Sequence, residues 1–304
     1  MLHITNGTSV SLPQTRLGGT VIYWNDVLHE GPVPEGLSFE EMTRVRGHFL
    51  AAFYGLPEPD GCFEERNQAL RGYGEHDEVI LWFEHDLYDQ LQLIQILDWF
   101  SRATERPSKL TLVSTDRYLG MLQPDELESL FETRRAVTDE QIEIAQAAWE
   151  AFCAPEPNRI ESMVRSGSSA LPYLAPALRR HLEQFPSIRG GLSRTERQIL
   201  ESIDSGLHGF HELFKADQDR DEFIFMGDTT FRSYLKRLAT SRRPLIAERE
   251  PGRYELTGMG RAVLAGDVDH VRENGINRWL GGVHLCEGAP VWRWDAARSQ
   301  VTLI

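Results

Sequence analysis

The chain is poor in cysteine, poor in basic residues over its first half, and lacks any long apolar run. Its 304 residues hold three cysteines, Cys62, Cys153 and Cys286. The count is odd, the three lie far apart and no CxxC pair occurs, which argues against a disulfide framework and against a zinc knuckle. No apolar stretch approaches the ~20 residues that cross a bilayer. Met1 runs straight into Leu-His-Ile-Thr, without a basic n-region or an apolar h-region. No secretory leader is therefore expected, and the cytoplasm is the expected compartment. Residues 1–150 contain 11 Lys+Arg against 26 Asp+Glu, a net charge of −15, while the remainder stands at +1. The acidic half repels a nucleic-acid backbone; the other half has no such barrier. Neither GxGxxG nor a Walker loop follows the first apolar segment, so a standard dinucleotide or triphosphate cradle is not expected.

What is present is an ordinary globular composition, 41% hydrophobic and 26% charged. At roughly 100–200 residues per domain, the length predicts two domains. Short apolar segments at 2–5, 20–24, 78–83 and 109–113 read as strands. The third, Glu-Val-Ile-Leu-Trp-Phe, has the pattern of a strand buried on both faces. Between the third and fourth, Asp86 can cap a helix, with Asp89 three residues on. Leu87, Leu91, Ile94, Leu97 and Phe100 then fall on one helical stripe. Strand, helix, strand implies a right-handed parallel crossover. Further helices are expected at 39–53, 124–131 and 139–152.

The expected class is thus α/β: an N-terminal three-layer domain, 1–153, with a mostly parallel sheet. Pro155 and Pro157 mark the start of a helical connector, 154–189. From 190 to 304 the pattern changes. Helices are expected at 195–203, 209–214 and 228–239, then two short strands at 244–248 and 253–256 around Pro251-Gly252. Three helices followed by a hairpin is the order of a winged helix. Tyr254-Glu255-Leu256-Thr257-Gly258, continued by Gly260-Arg261-Ala262-Val263-Leu264, resembles the wing and closing helix of bacterial winged-helix domains. A tryptophan-rich tail predicts a terminal hairpin pairing 283–286 with 291–294.

In an open parallel sheet, ligands bind outside the carboxyl ends of the strands. All four expected strand exits are polar. Asn6, Gly7, Thr8 and Ser9 follow the first, where Gly7 admits close backbone approach and free N–H groups and hydroxyls suit an anion. Asn25, Asp26, His29 and Glu30 follow the second. Glu84, His85 and Asp86 follow the third, with Gln90 beyond them, and Ser114 and Thr115 the fourth. A histidine between two acids suits a general base or a metal ligand. His29, Glu30, His85 and Asp86 are ligand types for a metal, though not at HExxH spacing. The ordinary alternatives are a tight turn at Asn6-Gly7, a helix cap at Asp86 and a solvated turn before Pro32. In the second half, Arg232, Lys236, Arg237, Arg242 and Arg243 lie on and beyond the third expected helix, the one that enters the major groove in a helix-turn-helix. A solvated basic face used for protein contacts is the alternative.

The segments His3-Ile4-Thr5-Asn6-Gly7-Thr8-Ser9, Trp24-Asn25-Asp26, His29-Glu30-Gly31-Pro32-Val33 and Leu81-Trp82-Phe83-Glu84-His85-Asp86, with Gln90, resemble an uncharacterised bacterial family. It is the domain of unknown function numbered eighteen-thirty-five, often followed by a helical or winged-helix segment. The resemblance covers roughly residues 1–125. It implies a domain identity and the placement of a site, and no reaction. Members carry Asp where this chain has Thr8, so a carboxylate is missing there.

Three functions are consistent with these features. The first is an α/β domain binding a nucleotide or phosphorylated small molecule, coupled to a winged helix that contacts DNA or a protein partner. The second is a metal-dependent hydrolase or nuclease using His85 with Asp26, Glu30 and Asp86. The third is a protein-binding adaptor.

Overall fold

The computed structural model describes residues 1–57, 63–103, 107 and 109–304; Cys62 lies outside them. The chain divides into two compact units, Met1–Ala177 with Gly281–Val283, and Leu178–Leu280 with His284–Ile304. The division falls within the segment 154–189 expected as a connector.

Unit 1 contains, in order, β1 (Leu2–Thr5), β2 (Thr20–Tyr23), β3 (Gly31–Pro32), α1 (Phe39–Tyr54), α2 (Glu64–Arg71), β4 (Val79–Phe83), α3 (Leu87–Arg102), β5 (Leu110–Ser114), α4 (Pro124–Phe131), β6 (Arg135–Ala136), α5 (Asp139–Cys153) and α6 (Asn158–Ser166). Five of these strands form one sheet in the order β2-β1-β4-β5-β6. The first four are parallel and β6 is antiparallel. All five residues of β4 are buried, as its unbroken apolar run requires of a central parallel strand. Ile80 and Trp82, with Val113 of β5, pack against Leu127 and Phe131 of α4. Helix α3 packs on β4 and on α5.

The sheet order sets where a site can form. From β1 the chain first moves outward to β2 and later returns to place β4 on the other side of β1. That reversal falls at the carboxyl ends of β1 and β4, the usual ligand position in doubly wound sheets. Thr5 pairs with Trp82, and Phe83 with Ser114, so the strand exits are level. His3 steadies the β1–β4 pair from inside. Its Nδ1 accepts from the Trp82 indole N–H at 3.1 Å and its Nε2 meets the Gly18 carbonyl at 3.0 Å. Burial holds its pKa below the usual value, as a neutral imidazole in this arrangement requires. Unit 1 is also closed by residues from far along the chain: Val33 N–H donates to the Gly281 carbonyl, and Gly282 N–H to that of Phe152.

After α7 (Leu174–Leu182), unit 2 contains α8 (Arg194–Asp204), α9 (Phe210–Gln218), α10 (Asp228–Thr240), β7 (Ile246–Glu250), β8 (Arg253–Leu256), α11 (Gly258–Ala265), α12 (His270–Asn274), β9 (Asn277–Gly281), β10 (Val283–Cys286), β11 (Trp292–Asp295) and β12 (Gln300–Leu303). A capping box joins Ser193 and Glu196 at the start of α8. Ile199, Ile203, Leu213, Phe231, Tyr234 and Leu238 are buried on the three helices. β7 and β8 form an antiparallel hairpin, turned at Gly252 with φ +76°. Gly260 has a steric reason: a Cβ there would stand 2.1 Å from the Leu245 carbonyl oxygen.

The tail departs from expectation in its pairing. Trp292–Asp295 pairs with Gln300–Leu303, not with 283–286, which neighbours β9. The cause is local. Asp295 Oδ1 accepts the N–H groups of Ala297 and Arg298 at 3.0 and 3.3 Å, closing a turn immediately after β11. The short elements β3, α2, β6, α12 and β9 carry too few periodic residues to be legible in the sequence.

Candidate functional site

Three carboxylates converge beyond the carboxyl ends of β1 and β4. Glu84 and Asp86 leave β4, and Asp89 stands in the first turn of α3. One oxygen from each lies within 4.8 Å of the other two, and all three residues are buried. Asn6, leaving β1, bridges them: its Nδ2 donates to Glu84 Oε1 at 3.0 Å and to Asp89 Oδ2 at 2.9 Å. Leu119 N–H donates to Glu84 Oε1 at 2.7 Å, and Glu84 N–H to Asp89 Oδ1 at 2.7 Å. Asp89 N–H donates to Asp86 Oδ1 at 3.1 Å, which is the N-cap bond of α3. Gln90 acts on the backbone, its Nε2 donating to the Glu84 carbonyl at 2.6 Å.

These donors are all amides, and amides do not neutralise three ionised groups removed from water. Burial raises the Glu84 pKa to about 7, against the pull of the Leu119 N–H and Asn6. Burial, then the neighbouring Glu84, raises Asp86 to about 8. Burial, then Asp86 and Glu84, holds Asp89 well above the carboxylate range. Near neutral pH the group must therefore keep protons or gain a cation. Three converging carboxylate oxygens are donors of the kind a hard divalent cation takes, whereas Asn6 presents N–H groups and orients the acids.

The structure separates the other expected residues into distinct settings. Asp26 belongs to a buried ion cluster. Arg46 Nη2 and Nε donate to Asp26 Oδ1 at 2.7 and 2.9 Å, and both side chains are 1% exposed. The same guanidinium donates to the carbonyls of Glu30 and Val27 at 2.8 and 2.9 Å. Arg66 lies nearby over the Trp24 ring at 4.1 Å and donates to the Trp24 carbonyl. Burial lowers its pKa to about 9, which leaves it charged. The cluster fastens the β2 exit to α1 and α2 through Asp26 Oδ1, while Asp26 Oδ2 is buried with no hydrogen-bond partner among the described residues. His29 is buried edge-on to Tyr88, with centroids 6.0 Å apart.

His85 lies toward the β5 exit, its ring 5.1 Å from that of Tyr118 and 5.9 Å from that of Tyr173. Burial lowers its pKa more than Asp116 and the Thr115 backbone raise it. Thr115 is buried, its Oγ1 accepting from Arg117 N–H, whereas Ser114 is exposed. Thr8 and Ser9 are exposed past the first turn. At Gly7, a Cβ would meet Asn25 Oδ1 at 3.3 Å.

In unit 2, three of the five expected basic residues are engaged internally. Arg242 donates twice to the Glu273 carbonyl, at 2.6 and 3.1 Å. Arg243 pairs with the Glu273 carboxylate, and its N–H meets Asn274. Arg237 stacks on Tyr234 at 4.1 Å and helps hold down the Glu196 pKa, which burial alone would raise. Arg232 and Lys236 are exposed one turn apart on α10, Arg232 over the Phe210 ring at 3.8 Å.

Sequence reasoning placed Asn6, Asp86 and Gln90 at this edge but did not assemble Glu84 with Asp89. The available signal was the spacing: Asp86 and Asp89 share the first-turn face of one helix. Arg46 was also signalled, as a cation on the stripe of Met42, Phe49 and Leu50. No family model, no curated protein and no solved structure matches the chain.

Two measurements follow from these electrostatics. Glu84 and Asp86 bind protons more tightly folded than unfolded, where the reference values are 4.5 and 3.8. Their contribution to stability is complete below about pH 4 and declines as pH rises to about 8. In chelator, Glu84→Gln and Asp86→Asn should each flatten that fall in melting temperature; an unchanged slope in both refutes the assignment. Arg46→Ala, which strands the buried Asp26, should lose about 3–5 kcal/mol in urea denaturation, and a loss under about 1 kcal/mol would contradict the buried pairing.

Proposed function

We propose that unit 1 binds a divalent cation at Glu84, Asp86 and Asp89, and through it a nucleotide or phosphorylated small molecule. The observation that carries this reading is the convergence of three buried carboxylates and Asn6 at the strand ends where the strand order reverses. A phosphate cannot approach three acids directly, because like charges in a poorly solvated site repel strongly. A cation between them reverses that sign and leaves coordination positions for phosphate oxygens. The resemblance of residues 1–125 to the family numbered eighteen-thirty-five agrees with a site at this edge. A hydrolytic variant of the same reading has one specific support: His85 adjoins the acids in sequence and has a lowered pKa, suited to a neutral general base.

Calorimetric titration of the full chain with Mg²⁺ or Ca²⁺ should show saturable binding that raises the melting temperature. Asp86→Asn and Asp89→Asn should each weaken it by tenfold or more, and Ser114→Ala, at an exposed position, should not. Inorganic pyrophosphate should then bind only with the metal present. No metal binding at millimolar concentration, or binding indifferent to both acid variants, would sink the proposal. Metal-dependent phosphate release that is lost in His85→Gln, with cation binding retained, would assign hydrolysis as well.

For unit 2 we propose a winged-helix module that contacts DNA through α10. Its support is the order of α8, α9, α10 and the β7–β8 hairpin, with Arg232 and Lys236 displayed on one helical face. In a low-salt mobility-shift assay, Arg232→Ala and Lys236→Ala should weaken binding and each reduce the salt slope by about one, whereas Arg242→Ala should change it little. Absence of any shift would move the assignment to a protein partner.

A further inference from the structure

Unit 1 contains a second polar feature, further along α3 and independent of the acid cluster. A cavity of about 530 Å³ is bounded by the segment before α1, by Gln95, Trp99 and Arg102 of α3, and by Trp149 and Glu150 of α5. That volume suits a small molecule. Its aromatic wall is held firmly. Trp99 packs edge-on against Tyr73 and Phe100, with centroids at 5.7 and 5.0 Å, and its ring lies 6.0 Å from Phe39. Trp149 is 9% exposed.

Gln95 determines what chemistry the cavity asks for. It is 5% exposed, and its Oε1 accepts the Trp24 indole N–H at 2.7 Å. An indole nitrogen only donates, so it fixes which end of the carboxamide is oxygen. The Nε2 group, with two N–H donors, is therefore the end presented to the cavity that Gln95 lines. It has no hydrogen-bond partner among the described residues. That group faces the water of the cavity, so a ligand acceptor placed there would replace a hydrogen bond otherwise made to solvent.

The charges narrow the choice further. Arg102 is clamped by Asp98 through hydrogen bonds of 3.1, 3.0 and 2.8 Å, so its charge is largely answered. Arg159, Glu35 and Glu150 also border the cavity, Glu150 lying 3.6 Å from Arg102, and the acids offer acceptors to ring N–H groups. Aromatic walls with acids would equally suit a quaternary ammonium ion, but the Gln95 hydrogens point positive charge at it. Burial raises the Cys153 thiol far above its ordinary value, which leaves it protonated and makes the cavity a place for binding rather than thiol chemistry.

We propose that this cavity binds a nucleobase-sized lactam heterocycle, stacked on Trp99 with Phe39 against its edge, its ring carbonyl accepting from Gln95 Nε2. Guanosine carries that carbonyl next to a ring N–H. Adenosine has an amine in its place, which would set donor against donor, and a mismatch of this kind is rejected more strongly than a missing methylene.

The experiment is titration of the full chain with guanosine, adenosine and choline, followed by tryptophan fluorescence and calorimetry. Guanosine should bind saturably, quench the fluorescence and outcompete adenosine. Gln95→Glu keeps an acceptor for the Trp24 indole while removing the donor. It should weaken guanosine about tenfold and shift the preference toward adenosine, an inversion that a purely structural role would not produce. Trp99→Ala, at a half-buried wall position, should weaken both nucleosides and serves if the Gln95 variant does not fold. The proposal is overturned if choline binds more tightly than guanosine. It is equally overturned if no nucleoside binds at millimolar concentration, or if guanosine binding is the same in both variants.

Discussion

The ladder between β1 and β4 is the constraint on which the polar edge depends. Pairing Thr5 with Trp82 brings Asn6 alongside Glu84, although 78 positions separate them. The ladder can lie deep in the sheet because each strand is apolar on the faces it buries. Its interior polar side chains have partners, His3 on both ring nitrogens and Thr5 through Asn6 Oδ1. Slipping the register by one residue would invert every side chain of β1, turning His3 away from Trp82 and moving Asn6 off the carboxylates. Hydrophobic patterning thus positions the acids, and no attraction among them is needed.

Unit 1 handles buried charge in two opposite ways. At the β2 exit, Asp26 is surrounded by donors from Arg46 and by backbone carbonyls that occupy the remaining guanidinium hydrogens. The guanidinium is saturated, and the pair is charge-matched even though Asp26 Oδ2 has no hydrogen-bond partner among the described residues. At the β1/β4 exit, amides supply the hydrogen bonds and no guanidinium is enlisted. The sequence explains this asymmetry: α1 and α2 bring Arg46 and Arg66 inward, whereas the first turns of α3 contain Asp, Gln, Tyr88 and apolar residues but no cation. A chain with net charge −15 over residues 1–150 has few cations to spend on a second cluster.

Much of the fold was legible because it rests on local signals. The apolar run of β4, the capping residues Asp86 and Ser193, and the turn at Pro251-Gly252 each carry their own physical warrant. The α/β class and the parallel strands follow from their alternation. What was not legible depends on tertiary partners. Asp26 reads as an available carboxylate until Arg46 is seen to occupy it. Arg237, Arg242 and Arg243 read as a basic surface until Tyr234, Glu196 and Glu273 are seen to engage them. Asp295 was visible, but its turn competes with the alternative at Gly288, and only the completed ladder shows that β12 wins. Residue type thus announced the polar edge, while only the tertiary partners show that Asp26 meets a guanidinium and that Glu84 and Asp89 meet amides.

The hydrogen bonds that Gly281 and Gly282 exchange with Val33 and Phe152 give the first unit a discontinuous makeup, and this bears on its biosynthesis. During vectorial translation, residues 1–177 emerge well before the glycines that complete their periphery. At roughly 5–20 residues per second, the intervening hundred or so residues take about 5–20 s to appear. For that interval the nascent first unit must persist with the Val33 amide and the Phe152 carbonyl lacking their final partners. Both glycines are confined by that contact, since a Cβ at either would collide with the backbone at 152–154, so the last step of assembly tolerates no larger residue at the docking point.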